Sequence, residues 1–198
     1  MIEILNKIKW VATAFGVFIL ALGIFSAVKA NQKPISFAQL DLNNLKGGTI
    51  VEDDVTMNFG TYEEEYDTVF GFQDTSSLIW YYIIPMGDKY MGVSVDANAQ
   101  GASFDMQAEQ TFDYLDGQAV TPMAIKVKGS ITKMSEQDKG FFVESLIAGG
   151  YSASEAQQVM IPYFIKSNAY SDYYVQLIIG AIAIVLGVGC MIVAKYYE

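Results

Sequence analysis

Near each end of the chain lies a long apolar stretch with no formal charge, and together these two stretches leave few architectures open. Trp10 to Val28 (WVATAFGVFILALGIFSAV) runs for 19 residues and Val175 to Ala194 (VQLIIGAIAIVLGVGCMIVA) for 20. At 1.5 Å rise per residue, a helix of either length matches a bilayer core of about 30 Å. Gln176 is the one strongly polar residue of the second run, and it sits at the end, where headgroups and water satisfy it. Trp10 beside the first run, and Tyr173, Tyr174, Tyr196 and Tyr197 beside the second, are the amphipathic rings that anchor helices at headgroup level.

The sequence therefore predicts transmembrane helices over 10–28 and 175–194, tails over 1–9 and 195–198, and one domain over 31–172. Lys7 and Lys9 followed by an apolar run also suit a signal peptide, with Val28-Lys29-Ala30 as its cleavage site. Signal-peptide apolar regions run only about 7–15 residues, which favours a retained anchor. Lys7, Lys9 and Lys195 on the terminal side balance Lys29, Lys33 and Lys166 on the loop side. The short basic start tips the orientation towards a two-pass cell-membrane protein with both termini cytoplasmic and the domain extracytoplasmic.

The intervening segment holds 20 acidic residues and 8 lysines. So acidic a surface excludes nucleic acid and anionic headgroups as partners of the domain and favours cations or basic proteins. The chain has no histidine, which rules out Ser-His-Asp triads, Cys-His pairs and His-ligated zinc or haem built from its own residues. Cys190, the one cysteine, falls inside the second apolar run, so the domain has no disulfide and depends on its core. The missing disulfides and the absence of arginine and histidine point to a bacterial chain.

Within the domain, Ser36 and Gln39 stand in capping-box spacing ahead of a short helix closed by Gly47-Gly48. Thr49 to Phe59 alternates loosely as a strand, and Leu78 to Ile84 (LIWYYII) is the unbroken apolar run of a strand covered on both faces. A turn at Pro85 to Asp88 makes 78–95 a hairpin with Met91, Val93 and Val95 on one face. Phe104, Ala108, Phe112 and Leu115 predict a helix over 102–115 stopped by Gly117. Ile125, Val127, Gly129 and Ile131 alternate with polar residues as a half-buried strand. Capping boxes at Ser135/Asp138 and Ser152/Glu155 open two helices separated by Gly149-Gly150, with Tyr163 to Ile165 as a last strand. The expected fold class is α+β, flanked by two transmembrane α-helices.

Several patterns carry potential chemistry. Asp96-Ala97-Asn98-Ala99-Gln100-Gly101 has the oxygen ligands Asp96, Asn98 and Gln100 of half a calcium loop, but Gln107 stands where the closing glutamate belongs. Ser130-Ile131-Thr132-Lys133 has Ser-x-x-Lys spacing on a strand end instead of a helix start. Glu52-Asp53-Asp54 and Glu63-Glu64-Glu65 with Asp67 could form a cation site or a carboxylate pair if facing strands bring them together. Trp80-Tyr81-Tyr82 reads as core before it reads as a ligand groove. Ala12 with Gly16, Gly23 with Ala27, and Ala183 with Gly187 are small-residue pairs that allow close helix approach, between the two spans or to a membrane partner or second copy. No catalytic residue and no cofactor is assigned.

LKGGTIVEDDV (Leu45 to Val55), IWYYIIPMG (Ile79 to Gly87) and MGVSVD (Met91 to Asp96) resemble uncharacterised two-span bacterial membrane proteins, families of unknown function with an α+β domain between the spans. The resemblance implies a layout and no site residue. The expected role is a non-catalytic binding, sensing or accessory domain outside the membrane. The alternatives are a small tethered enzyme using carboxylates or Ser130-Lys133, and a cytoplasm-facing acidic adaptor, which cysteine accessibility at loop positions such as Ser77 would separate.

Overall fold

The computed structural model describes residues 2–69, 72–167 and 173–197. In chain order the elements are α1 (Ile2–Ala30), a 3-10 turn (Phe37–Gln39), β1 (Ile50–Val55), β2 (Thr61–Val69), β3 (Phe72–Met86), β4 (Lys89–Asp96), a π-turn (Ala97–Gly101), α2 (Ala102–Leu115), β5 (Ile125–Lys133), α3 (Glu136–Ala148), α4 (Ala153–Val159), β6 (Met160–Ser167) and α5 (Tyr173–Tyr197). They form two compact units, one of the terminal segments and one of Lys33–Ala169. The expected domain end at Asp172 and the last residue Glu198 lie outside the described residues.

In the first unit, α1 and α5 are each long and apolar enough to cross a membrane, over Lys9–Ala30 and Tyr173–Tyr196. They run antiparallel along a seam of glycines seven residues apart: Gly16 and Gly23 on α1, Gly180 and Gly187 on α5, all buried. A methyl group added at Gly16 would lie 2.8 Å from the Ile184 nitrogen and 2.9 Å from the Gly180 oxygen, and one at Gly180 would lie 2.7 Å from the Leu20 nitrogen. Only hydrogen at these positions lets the two backbones meet. A seven-residue repeat keeps the same seam facing the partner helix. Ser26 Oγ donates to Gln176 Oε1 across it at 3.2 Å. Gly16, Gly23 and Gly187, three of the small residues singled out in the sequence, are thus engaged within the chain; Ala12, Ala27 and Ala183 are half-buried.

The second unit is an α+β domain on a mixed six-stranded sheet of order β1-β5-β6-β4-β3-β2. Only β4 and β6 are parallel; every other neighbouring pair is antiparallel. Apolar residues cover both faces. On one, Val51, Tyr82, Ile84, Val93, Val127 and Ile165 pack under Phe104 of α2 and under Ile35, Phe37, Leu40 and Leu45 of the preceding segment. On the other, Tyr62, Tyr81, Ile83 and Phe164 pack under Phe142 and Leu146 of α3 and Ala156 of α4. The unbroken run at 78–84 therefore feeds two cores at once, as a strand covered on both faces must.

The β3–β4 hairpin turns at Gly87-Asp88, where Gly87 has φ 68° and a side chain would be strained. Both capping boxes form, with Ser135 Oγ accepting from the Asp138 N–H and Ser152 Oγ from the Glu155 N–H. One expectation needs correction, and one strand lies where none was expected. The helix closed by Gly47-Gly48 is only a 3-10 turn, because Leu40 is extended and the leucines that follow lie directly on the sheet. The acidic run at 63–65 belongs to a nine-residue strand, β2, and pairs with a β3 that begins at Phe72. Two register shifts in β2 break its alternation, which is why no period of two is visible there.

Candidate functional site

Where β2 meets the start of α3, a recess of about 560 Å³ is lined by Glu63, Glu65, Tyr81, Ser135, Asp138 and Lys166, among others. Its geometry follows from the irregular strand. Glu63 pairs with Tyr81 and Glu65 with Ile79, and the register shift between Thr61 and Glu63 sends the Tyr62 ring into the core against Phe142, 4.9 Å away. Glu63 and Glu65, two apart on the strand, share one face. Tyr81 Oη donates to Glu65 Oε2 at 2.5 Å. Burial first, and then that bond, hold the Tyr81 phenol well above its ordinary range. The Tyr62 hydroxyl is also buried, against Gly92, where an added methyl would meet it at 2.7 Å.

Glu63 is the unusual member. Its Oε2 is cut off from solvent and has no hydrogen-bond partner. Burial, then Asp138, then Glu65, push its carboxyl up to about 7. A carboxyl in that range is partly protonated at neutral pH, so it can donate as well as accept. Asp138 cannot swing away to relieve it: its Oδ2 accepts from the Ser135 N–H at 2.8 Å and its Oδ1 from Ser135 Oγ at 2.6 Å. Capping fixes one negative charge at the amino end of α3, where the helix dipole favours it.

A family model describing a domain of unknown function, DUF8577, matches residues 1–195. The chain belongs to the DUF8577 family. The match takes in both terminal helices together with the domain, so this family unit includes the two apolar helices. No curated protein and no solved structure matches the chain.

In this DUF8577 chain the residues singled out by sequence fall as follows. Glu52–Asp54 lie on β1 and Glu63–Glu65 on β2, at opposite edges of the sheet, so the two acidic runs do not meet. Glu52 instead takes Lys126 of the neighbouring strand at 2.7 Å, and that bond holds its carboxyl below the usual range. Ser130 is buried and Lys133 exposed, and residues three apart on a strand point to opposite faces. Asp96 Oδ1 accepts from the Asn98 and Ala99 N–H groups, Asn98 Nδ2 donates to the Thr75 oxygen, and Gln100 Oε1 accepts from Ser167 Oγ. The three side chains turn to three different partners. Among the described residues, no group of three or more Cys, Asp or Glu is placed to hold a metal ion. Tyr82 is fully buried and Tyr81 nearly so, as core residues.

The grouping of Glu63 with Asp138 is not legible in the sequence, because 75 positions separate them and only the fold joins β2 to α3. A buried polar network lies on the other face of the sheet. Asn58 Nδ2 donates to the Phe104 oxygen and to Gln107 Oε1, and Gln107 Nε2 donates to the Val55 and Met123 oxygens. A glutamine between Phe104 and Ala108 on the apolar face of α2 was the available signal.

Proposed function

We propose that this chain is a two-pass protein of a bacterial cell membrane, with both termini cytoplasmic, that holds its α+β domain outside as a non-catalytic binding, sensing or accessory module. The observation that carries this reading is the outward exposure of the apolar helices. Only 11% of the most apolar stretch of α1 and 17% of that of α5 are buried, and Phe15, Phe18, Phe25, Ile178, Ile182 and Leu186 are exposed. Water would not tolerate so large an apolar surface, and hydrocarbon would. Neither run carries a charged side chain, which argues against an ion path through this chain alone.

The non-catalytic half of the reading is supported by what does not meet: Ser130 and Lys133 face apart, and the acidic runs sit at opposite edges. The acidic surface and its recess suit a basic partner. The test is affinity capture of the tagged full chain from detergent-solubilised native membranes, beside a chain lacking residues 33–169, with partners identified by mass spectrometry. A stoichiometric partner lost with the domain is expected; its absence would overturn the accessory role. A second reading, a tethered carboxylate enzyme, draws on Glu63 alone, since a half-buried carboxyl raised to about 7 suits a general acid. Turnover by the full chain that Glu63→Gln abolishes would favour it.

A further inference from the structure

We propose that the Glu63 recess is a proton-operated latch: with a proton on Glu63 the amino end of α3 stays seated against β2, and loss of that proton loosens the contact. The latch goes beyond the binding role proposed above and does not depend on it.

The geometry supplies the reason. A carboxyl oxygen cut off from solvent and without a hydrogen bond costs far more when the group is charged than when it is neutral, and Oε2 of Glu63 is such an atom. The elements packed around it offer little compensation. From α3 comes Asp138, fixed in place by Ser135; from β2 comes Glu65, two residues along the same face, while Glu64 alternates to the other; from β3 comes Tyr81, whose hydroxyl is committed to Glu65. The buried Tyr62 phenol adds a neighbour that stays neutral, since burial holds it far above its ordinary range. From β6 comes Lys166, an exposed cation on the lining, and Lys139 of α3 is committed to Glu136 at 2.6 Å. Ionised Glu63 is therefore set between the carboxylates of Glu65 and Asp138, and moving the first turn of α3 outward separates it from Asp138.

The direction of the response follows from linkage. The closed state raises the carboxyl from 4.5 to about 7, so it binds the proton more tightly than the open state does. Closure is fully favoured below the ordinary value and loses its advantage as pH rises through about 7.

The test is hydrogen–deuterium exchange of the full chain in nanodiscs at pH ~5.5 and ~8, with exchange times scaled for the intrinsic rate. Peptides covering 61–69 and 136–142 should lose protection severalfold at the higher pH. Glu63→Gln should keep the low-pH protection at both. Glu65→Gln, which removes one charged neighbour and still offers Tyr81 an acceptor, should move the midpoint to lower pH. Equal scaled protection at both pH values, a Glu63→Gln chain that still responds, or an unmoved midpoint in Glu65→Gln would overturn the latch. None of these results bears on partner capture.

Discussion

On the α2 face of the sheet, Asn58 and Gln107 are completely buried, and every polar atom of their side chains has a partner; on the α3 face, Glu63 hides an oxygen that has none. Both arrangements bury polar atoms beside an aromatic core, yet they have opposite consequences. The amide network is satisfied and uncharged, so it fixes the packing of α2 independently of pH. The carboxyl is only half-buried, can change charge, and sits among other acids, so its environment favours one protonation state.

Four substitutions test this contrast. Phe142→Ala removes a fully buried ring from beneath the α3 face and should cost about 3–5 kcal/mol in denaturant unfolding of the full chain. Gln107→Ala leaves the Val55 and Met123 carbonyls and an Asn58 donor unpaired, and should cost about 1–3 kcal/mol, the same at pH ~5 and ~8. Glu63→Gln should behave differently: stabilising above pH 7, with the gain shrinking as pH falls towards 4.5, because the folded-state value is the raised one. A stability difference between wild type and Glu63→Gln that is flat with pH would erase the distinction between the faces. Lys126→Ala, which breaks an exposed pair with Glu52, should leave the unfolding midpoint where it was.

Much of the scaffold was legible in the sequence because its signals are local. Ser135 with Asp138 and Ser152 with Glu155 form the caps that their spacing predicts, and Ile125, Val127 and Ile131 bury the face that their alternation predicts. The hairpin around Gly87 is equally local, needing only a positive φ between two apolar strands. β2 was hidden because its two register shifts scatter Tyr62, Glu63 and Glu65 out of any simple period. The recess was hidden for a different reason: the residues that raise Glu63 come from β2 and α3, and nothing in either segment specifies that the two will touch. The seam between the apolar helices was half legible. Gly16, Gly23 and Gly187 were visible as small residues, whereas Gly180, whose added methyl would meet the Leu20 backbone, stands in none of the pairs identified by small-residue spacing.

Labelling in intact cells bears most directly on the proposal of a membrane-anchored outer domain. With Cys190→Ala as background, one chain carries Asp88→Cys on the exposed β3–β4 turn and another carries Glu3→Cys in the amino-terminal tail. A membrane-impermeant maleimide is expected to label position 88 in intact cells and position 3 only after permeabilisation. Labelling at position 3 with protection at position 88 would put the domain in the cytoplasm, and full recovery of the chain in the soluble fraction would contradict membrane anchoring itself.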